Sequence, residues 1–173
     1  MKKYFMFLIA MFMLLGAVSV SAAEISARSK IAVIVPEYYI VNDVKHMAHE
    51  SIAERIIVDR LHTNGYKKTT YFDQQPKHFD YGALSAATLQ QVADDLNVDM
   101  IVIGMTNVSS AADHFNDCKA NTITKVYYAN SNRLVEIFGS GTGRENLSYN
   151  AIGRAVDVSG NKVADEILKY LGK

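Results

Sequence analysis

One cysteine, two prolines and no tryptophan occur among 173 residues, and 18 acidic side chains cancel the 18 lysines and arginines. A lone cysteine excludes an internal disulfide, so the fold has to rest on its core. So little proline, with only ten glycines, excludes a collagen-like or proline-rich linker protein. The missing net charge argues against a polybasic nucleic-acid binder and against an acidic sponge. The apolar run from Phe5 to Val18 is about 14 residues, short of the roughly 20 that a bilayer-spanning helix needs. What the chain does have is apolar material: 49% hydrophobic and 10% aromatic residues, enough to build the core of one domain.

The first 23 residues read as a signal peptide. Lys2 and Lys3 form a basic start, the apolar run follows, and Ser21-Ala22-Ala23 offers small residues for cleavage before Glu24. Removing them leaves a mature chain with a net charge of about −2. No cysteine follows the apolar run, so a lipobox is missing. The expectation is a periplasmic or secreted protein, with residues 24–173 as a single domain and no stable membrane insertion after cleavage. Cys118 reads as a loop or half-buried thiol, with an intermolecular disulfide or reactive thiol as the alternative. His114 is the one nearby base.

Along the mature chain, residues 30–36 form a β-branched run ended by Pro36, a strand buried on both faces. Residues 44–62 read as helical, with Ile52, Ala53, Ile56, Ile57 and Leu61 on one face and Asn64-Gly65 as the stop. A second strand is expected over 66–72, and Ser85 caps a helix bearing Leu89, Val92, Ala93 and Leu96 at helical spacing. Met100 to Gly104 is the clearest buried strand. Residues 109–121 read as a long loop. The segments 122–129 and 134–138 flank a turn at Asn130 to Arg133, an antiparallel hairpin. A long closing helix over 150–171 turns Ile152, Val156, Val163, Ile167 and Leu171 inward, with Gly160 permitting close approach to the sheet. The predicted fold is therefore α/β, a three-layer domain. Its mixed sheet of about five strands opens strand, helix, strand, helix, strand, and the hairpin and long C-terminal helix follow.

Three stretches carry a family resemblance. Lys30-Ile31-Ala32-Val33-Ile34-Val35-Pro36 resembles an opening strand. The stretch from Val92 to Gly104 is similar to a helix end, an aspartate and a buried strand closing on glycine. The stretch from Lys125 to Glu136 resembles a hairpin, with the glycines after Phe138 and an alanine-bearing helix behind it. Together they resemble the bacterial envelope superfamily that includes the curli secretion channel subunit (CsgG-like), the N-terminal domain of TolB and a lipoprotein activator of a penicillin-binding protein (LpoB-like). The likeness spans about residues 30–171. It implies a non-catalytic domain that docks other envelope proteins or copies of itself. The missing lipobox departs from an outer-membrane anchor, and no extra pair of long amphipathic hairpins suggests a channel.

Several patterns invite chemistry. Gly139, Gly141, Gly143 and Arg144 make a glycine-rich run that could cradle a phosphate through its N–H groups, or simply end a strand in a flexible turn. It lacks a Walker ending, and Arg144 stands where a dinucleotide loop has its third glycine. His46, His49 and Glu50 sit at i, i+3, i+4, close together on a helix, but a zinc site needs further ligands converging from elsewhere. The alternative is ordinary surface histidines. His114, Asp117 and Cys118 repeat the spacing in an expected loop. No nucleophile elbow is present, and Asp94, Asp95 and Asp99 read as solvated or turn residues, so no enzyme and no cofactor are expected. Two glycosylation sequons start at Asn107 and Asn146; with a bacterial-looking leader they are accidental matches.

The aromatic residues are more suggestive. Tyr38, Tyr39, Tyr71, Phe72 and Tyr81, with Tyr66 and Phe79 nearby, cluster near expected strand ends. There they would suit a protein-binding patch, or else cap the core. The expectation is an exported, non-enzymatic envelope module that binds an envelope protein or itself and no nucleic acid. The alternative is a periplasmic small-ligand or metal-binding protein.

Overall fold

The computed structural model describes residues 25–71, 80–110 and 116–173. The expected leader, Phe72, Phe79 and His114 lie outside them. Among the described residues the chain forms a seven-stranded mixed sheet, β1 (Ile31–Ile34), β2 (Glu37–Val41), β3 (Val44–Met47), β4 (Thr69–Tyr71), β5 (Met100–Ser110), β6 (Asp117–Tyr128) and β7 (Arg133–Arg144). Helices α1 (Ile52–Thr63) and α3 (Ser148–Tyr170) pack on one face, and α2 (Ala86–Leu96) packs on the other. This is the expected α/β, three-layer arrangement, with two more strands than the sequence suggested.

Parallel and antiparallel halves meet at β5. β1 and β4 run parallel to each other, and β1 runs parallel to β5, the pairing that buried crossover strands make. β1 and β2 act as one interrupted strand along β5: Ile31 opposes Met100 and Ile40 opposes Ser109 without a slip in register. The interruption is Val35-Pro36. Proline has no N–H to donate, yet its carbonyl still accepts Thr106 N–H at 2.8 Å. On its other edge β5 starts a long antiparallel meander through β6 and β7.

The helix expected over 44–62 forms only from Ile52. Asn42 (φ 48°) and Asp43 (φ 61°) make a tight turn, and β2 and β3 close into a hairpin around it. Both residue types tolerate left-handed backbone, and a two-residue loop with positive φ at both positions matches strand twist. The loop expected over 109–121 is also corrected. β5 runs to Ser110 and β6 starts at Asp117, so the strands consume most of it.

Cys118 is a core residue of β6, 3% exposed, and not a loop thiol. Burial, then the neighbouring Asp117 charge, pushes its thiol above the ordinary range. Labelling of Cys118 by a water-soluble thiol reagent is expected to proceed only at the rate of unfolding. Fast labelling of the native protein, timed by mass spectrometry, would contradict this placement. Gly160 packs against Ala53 and Ile56 of α1, so it brings two helices together and not a helix and the sheet.

A candidate binding surface on the outer sheet face

Side chains alternate across a sheet, so register decides which residues share a face. On the face toward α1 and α3 lie Met100, Val102 and Val108 of β5 with Ala120, Val126 and Tyr128 of β6, all in the main core. On the opposite face α2 covers Ile34, Ile101, Ile103 and Tyr127. Beyond that cluster the outer face carries three rows. The first is Met105, Ile123 and Phe138; the second is Met47, Tyr38, Asn107, Asn121 and Ser140; the third is Lys45, Ile40, Ser109, Lys119 and Thr142. From strand and row spacings this surface measures about 20 by about 14 Å. Phe138 is 59% exposed and Met47 48%, large apolar side chains on a regular sheet.

The border of the surface is polar and fixed. Tyr81 sits over β6 and β7: its hydroxyl donates to Glu136 Oε1 at 2.9 Å. The Lys125 ammonium lies 4.8 Å from the Tyr81 ring centre. The same ammonium donates to the carbonyls of Tyr81 and Leu84, each at 3.0 Å. Burial, then the Glu136 carboxylate, drives the Tyr81 hydroxyl above its ordinary range, so it stays a donor. At the far corner Arg144 lies 3.3 Å from Asp117, an exposed pair of little energetic weight. Lys45 stacks over the Tyr38 ring at 5.6 Å.

The four of the five aromatic candidates that are described do not form one patch. Tyr38 belongs to the surface and Tyr81 borders it. Tyr39 points the other way, its hydroxyl donating to the buried Glu37 at 2.8 Å. Tyr71, 60% exposed, ends β4, which pairs with β1 away from the rows of this surface. Met47, Met105, Ile123 and Phe138 were not singled out from sequence. The signal available was the apolar alternation of Ile123 and Phe138 either side of the hairpin, invisible until the pairing is known.

The histidine cluster loses its helical basis. His46 lies in β3 opposite Tyr39, while His49 and Glu50 occupy the bend before α1. Among the described residues no three His, Cys, Asp or Glu side chains gather as a metal site.

Gly139, Gly141 and Gly143 are not in a turn. They lie in β7, opposite Thr122, Ala120 and Cys118, with α3 directly above them. A Cβ on these residues would sit 2.3, 2.1 and 1.9 Å from the carbonyl oxygens of Ser159, Ala155 and Ala151. Two strand residues advance about 6.7 Å and four helix residues about 6.0 Å, so three contacts stay in phase. The run is a bed for a helix, and Arg144 at its end belongs to the exposed pair with Asp117.

Among the described residues no helix is long and apolar enough to cross a membrane. The chain matches no protein-family model and no curated protein. Among solved structures, the PelC dodecamer from Paraburkholderia phytofirmans is similar at TM-score 0.48 and 14% identity, over 88% of this chain and 93% of that one. A hypothetical protein from Chlamydia trachomatis gives 0.40 and 11%, over 83% and 96%. The LpoB C-terminal domain from Salmonella enterica gives 0.37 and 13%, over 76% and 90%. LpoB is one of the proteins whose family the sequence stretches resemble. Likeness at this level assigns no family and no function to the chain.

Proposed function

We propose that the protein is an exported cell-envelope module that binds another envelope protein or a copy of itself, without turnover or cofactor. One observation carries this reading. A well-formed sheet leaves Phe138 and Met47 in solvent beside Tyr38 and Ile123, on the part of the face that α2 does not cover. The resemblance of residues 30–171 to docking domains of the envelope points the same way, and the apolar run at the start of the chain supports export. The small-ligand and metal alternative has no comparable support, because its glycines lie under α3 and its histidines lie off any helix.

Cross-linking of the tagged protein in intact cells, followed by mass spectrometry of what is recovered, tests the reading. Losing a buried Phe side chain costs about 2 kcal/mol, which is about thirtyfold in affinity. Phe138→Ser is therefore expected to reduce recovery of the partner strongly, with the unfolding midpoint unchanged. Tyr149→Ser, an exposed site on α3, should leave recovery as it was. Equal recovery from both variants would remove the outer face as the binding surface, and a protein recovered as an uncross-linked monomer would remove the function.

A further inference from the structure

We infer that the free edge of β3 accepts an extended segment of the partner as an added strand, with an acidic residue opposite Lys45 and an apolar residue opposite Met47. This inference rests on the binding-module reading and assigns the partner's chemistry. The tight turn at Asn42 and Asp43 fixes which backbone groups of the hairpin face inward. Val41 and Val44 pair beside the turn, Tyr39 pairs with His46, and Ala48 N–H donates to Glu37 O at 2.8 Å. Val44, His46 and Ala48 therefore spend their backbone groups on β2. Lys45 and Met47 turn theirs outward, each offering one N–H and one carbonyl. Among the described residues β2 is the only strand paired with β3. All four β3 residues are exposed, Val44 at 55%, so no helix among the described residues shields this edge.

The other margin of the sheet differs. α3 lies directly over β7, and Lys162 Nζ already donates to Ser140 O at 2.7 Å. A strand carrying its own helix layer would run into α3 there. A second copy also offers Lys45 little at its β7 edge: Arg133 and Lys162 lie on the α3 side, and on the outer face Arg144 is a cation while Glu136 already accepts from Tyr81. Charge selects a foreign, acidic segment. Lys45 and Lys119 share the outer face, and the ion pairs found among the described residues use neither. Lys45 and Met47 are two residues apart, so their opposing residues on an added strand also share that face. Backbone bonds would supply the docking and the alternating acidic and apolar side chains the selectivity.

Hydrogen exchange followed by NMR on the protein as recovered from cells provides the test, with a short synthetic peptide alternating glutamate and valine as probe. At a peptide concentration tenfold above its Kd, exchange at Lys45 and Met47 is expected to slow by about tenfold. The same peptide N-methylated on alternate amides, and a lysine–valine peptide, should produce no slowing. Lys45→Glu should reverse the preference toward the lysine–valine peptide. Should Lys45→Glu fail to fold, the N-methylated peptide on the unaltered protein still decides the matter. Protection on β7 instead, equal binding of both charge types, or no protection at β3 would overturn the inference. If β3 stays unprotected while Phe138→Ser still abolishes partner recovery in cells, strand addition fails and the binding-module function stands.

Discussion

Gly141→Ala is expected to destabilise the protein by about 3 kcal/mol, and Gly141→Val to leave no folded protein at physiological temperature. The new Cβ would lie 2.1 Å from Ala155 O, 2.8 Å from Ser159 N and 2.9 Å from Val158 Cβ. The two closest are backbone atoms of a 23-residue helix, so no rotamer change relieves the clash and α3 must lift. Lifting it opens the core between helix and sheet, where Ala151, Ala155, Ser159 and Val163 are all fully buried. Reduced unfolded-state entropy returns less than about 1 kcal/mol of that loss. The control lies in the same helix: a Cβ on Gly153 meets nothing within 4 Å. Gly153→Ala is therefore expected to stabilise by up to about 1 kcal/mol through helix propensity alone. Urea unfolding of the two variants should move in opposite directions. A Gly141→Ala protein as stable as the parent would mean that α3 does not sit on β7 as described.

A buried polar seam keeps α3 in that register. The hydroxyls of Thr106 and Thr122 lie 2.9 Å apart, and Thr122 is bonded in turn to Ser159, all fully buried. Buried hydroxyls are tolerated when bonded, and a one-residue slip of α3 would take the Ser159 hydroxyl away from Thr122, leaving Thr122 with Thr106 alone. At Gly104 the backbone of β6 comes closer than a side chain allows: a Cβ there would meet Ile123 O at 2.0 Å.

The elements that periodicity announces are the ones that fold as read. α2 has its cap at Ser85 and buries Leu89 and Ala93, and α3 carries Val156, Val163 and Ile167 inward as expected. Buried strands β1 and β5 were legible as β-branched runs. What was not legible depends on pairing partners distant in sequence. Val41-Asn42-Asp43-Val44 holds a turn signal, but Val44 and the residues after it also fit a helical stripe, and only the β2–β5 ladder decides between them. The glycines of β7 look like a loop in isolation, and only the small residues of α3, recurring every fourth position, turn them into a packing surface. The candidate surface was half-legible for the same reason. Tyr38 could be named from its place after β1, whereas Phe138 and Ile123 become neighbours of Met105 only through the β5–β6–β7 register.

Glu37→Ala is expected to cost about 3 kcal/mol, and Glu37→Gln clearly less. Glu37 is 1% exposed and does the work of a helix cap from a neighbouring strand. Its carboxylate accepts Ile52 N–H at 3.0 Å and the Tyr39 hydroxyl at 2.8 Å, and Ala53 N–H bonds to it as well. Ser51 Oγ takes Glu54 N–H at 3.2 Å, so the first three N–H groups of α1 are all satisfied. The strand break at Val35-Pro36 is closed by the same residues. Glu54 Oε2 accepts Val35 N–H at 2.7 Å, and Ser51 Oγ donates to Val35 O at 2.6 Å. Alanine at position 37 would strand two helix N–H groups and a tyrosine hydroxyl in the core, while glutamine keeps an acceptor for part of them. The two variants also separate charge from hydrogen bonding. Burial pushes the Glu37 carboxyl above the usual carboxylate range, against the hydrogen bonds that pull it down. A group whose pKa is higher in the folded state contributes stability that is complete below the unfolded pKa, near about 4.3, and is lost as pH rises through the folded value. The stability of the parent minus that of Glu37→Gln should therefore grow as pH is lowered from about 7 to about 4. Urea unfolding of both proteins across that range measures it; a difference that shrinks toward acid would show that the hydrogen bonds to Ile52, Ala53 and Tyr39 outweigh burial at this carboxylate.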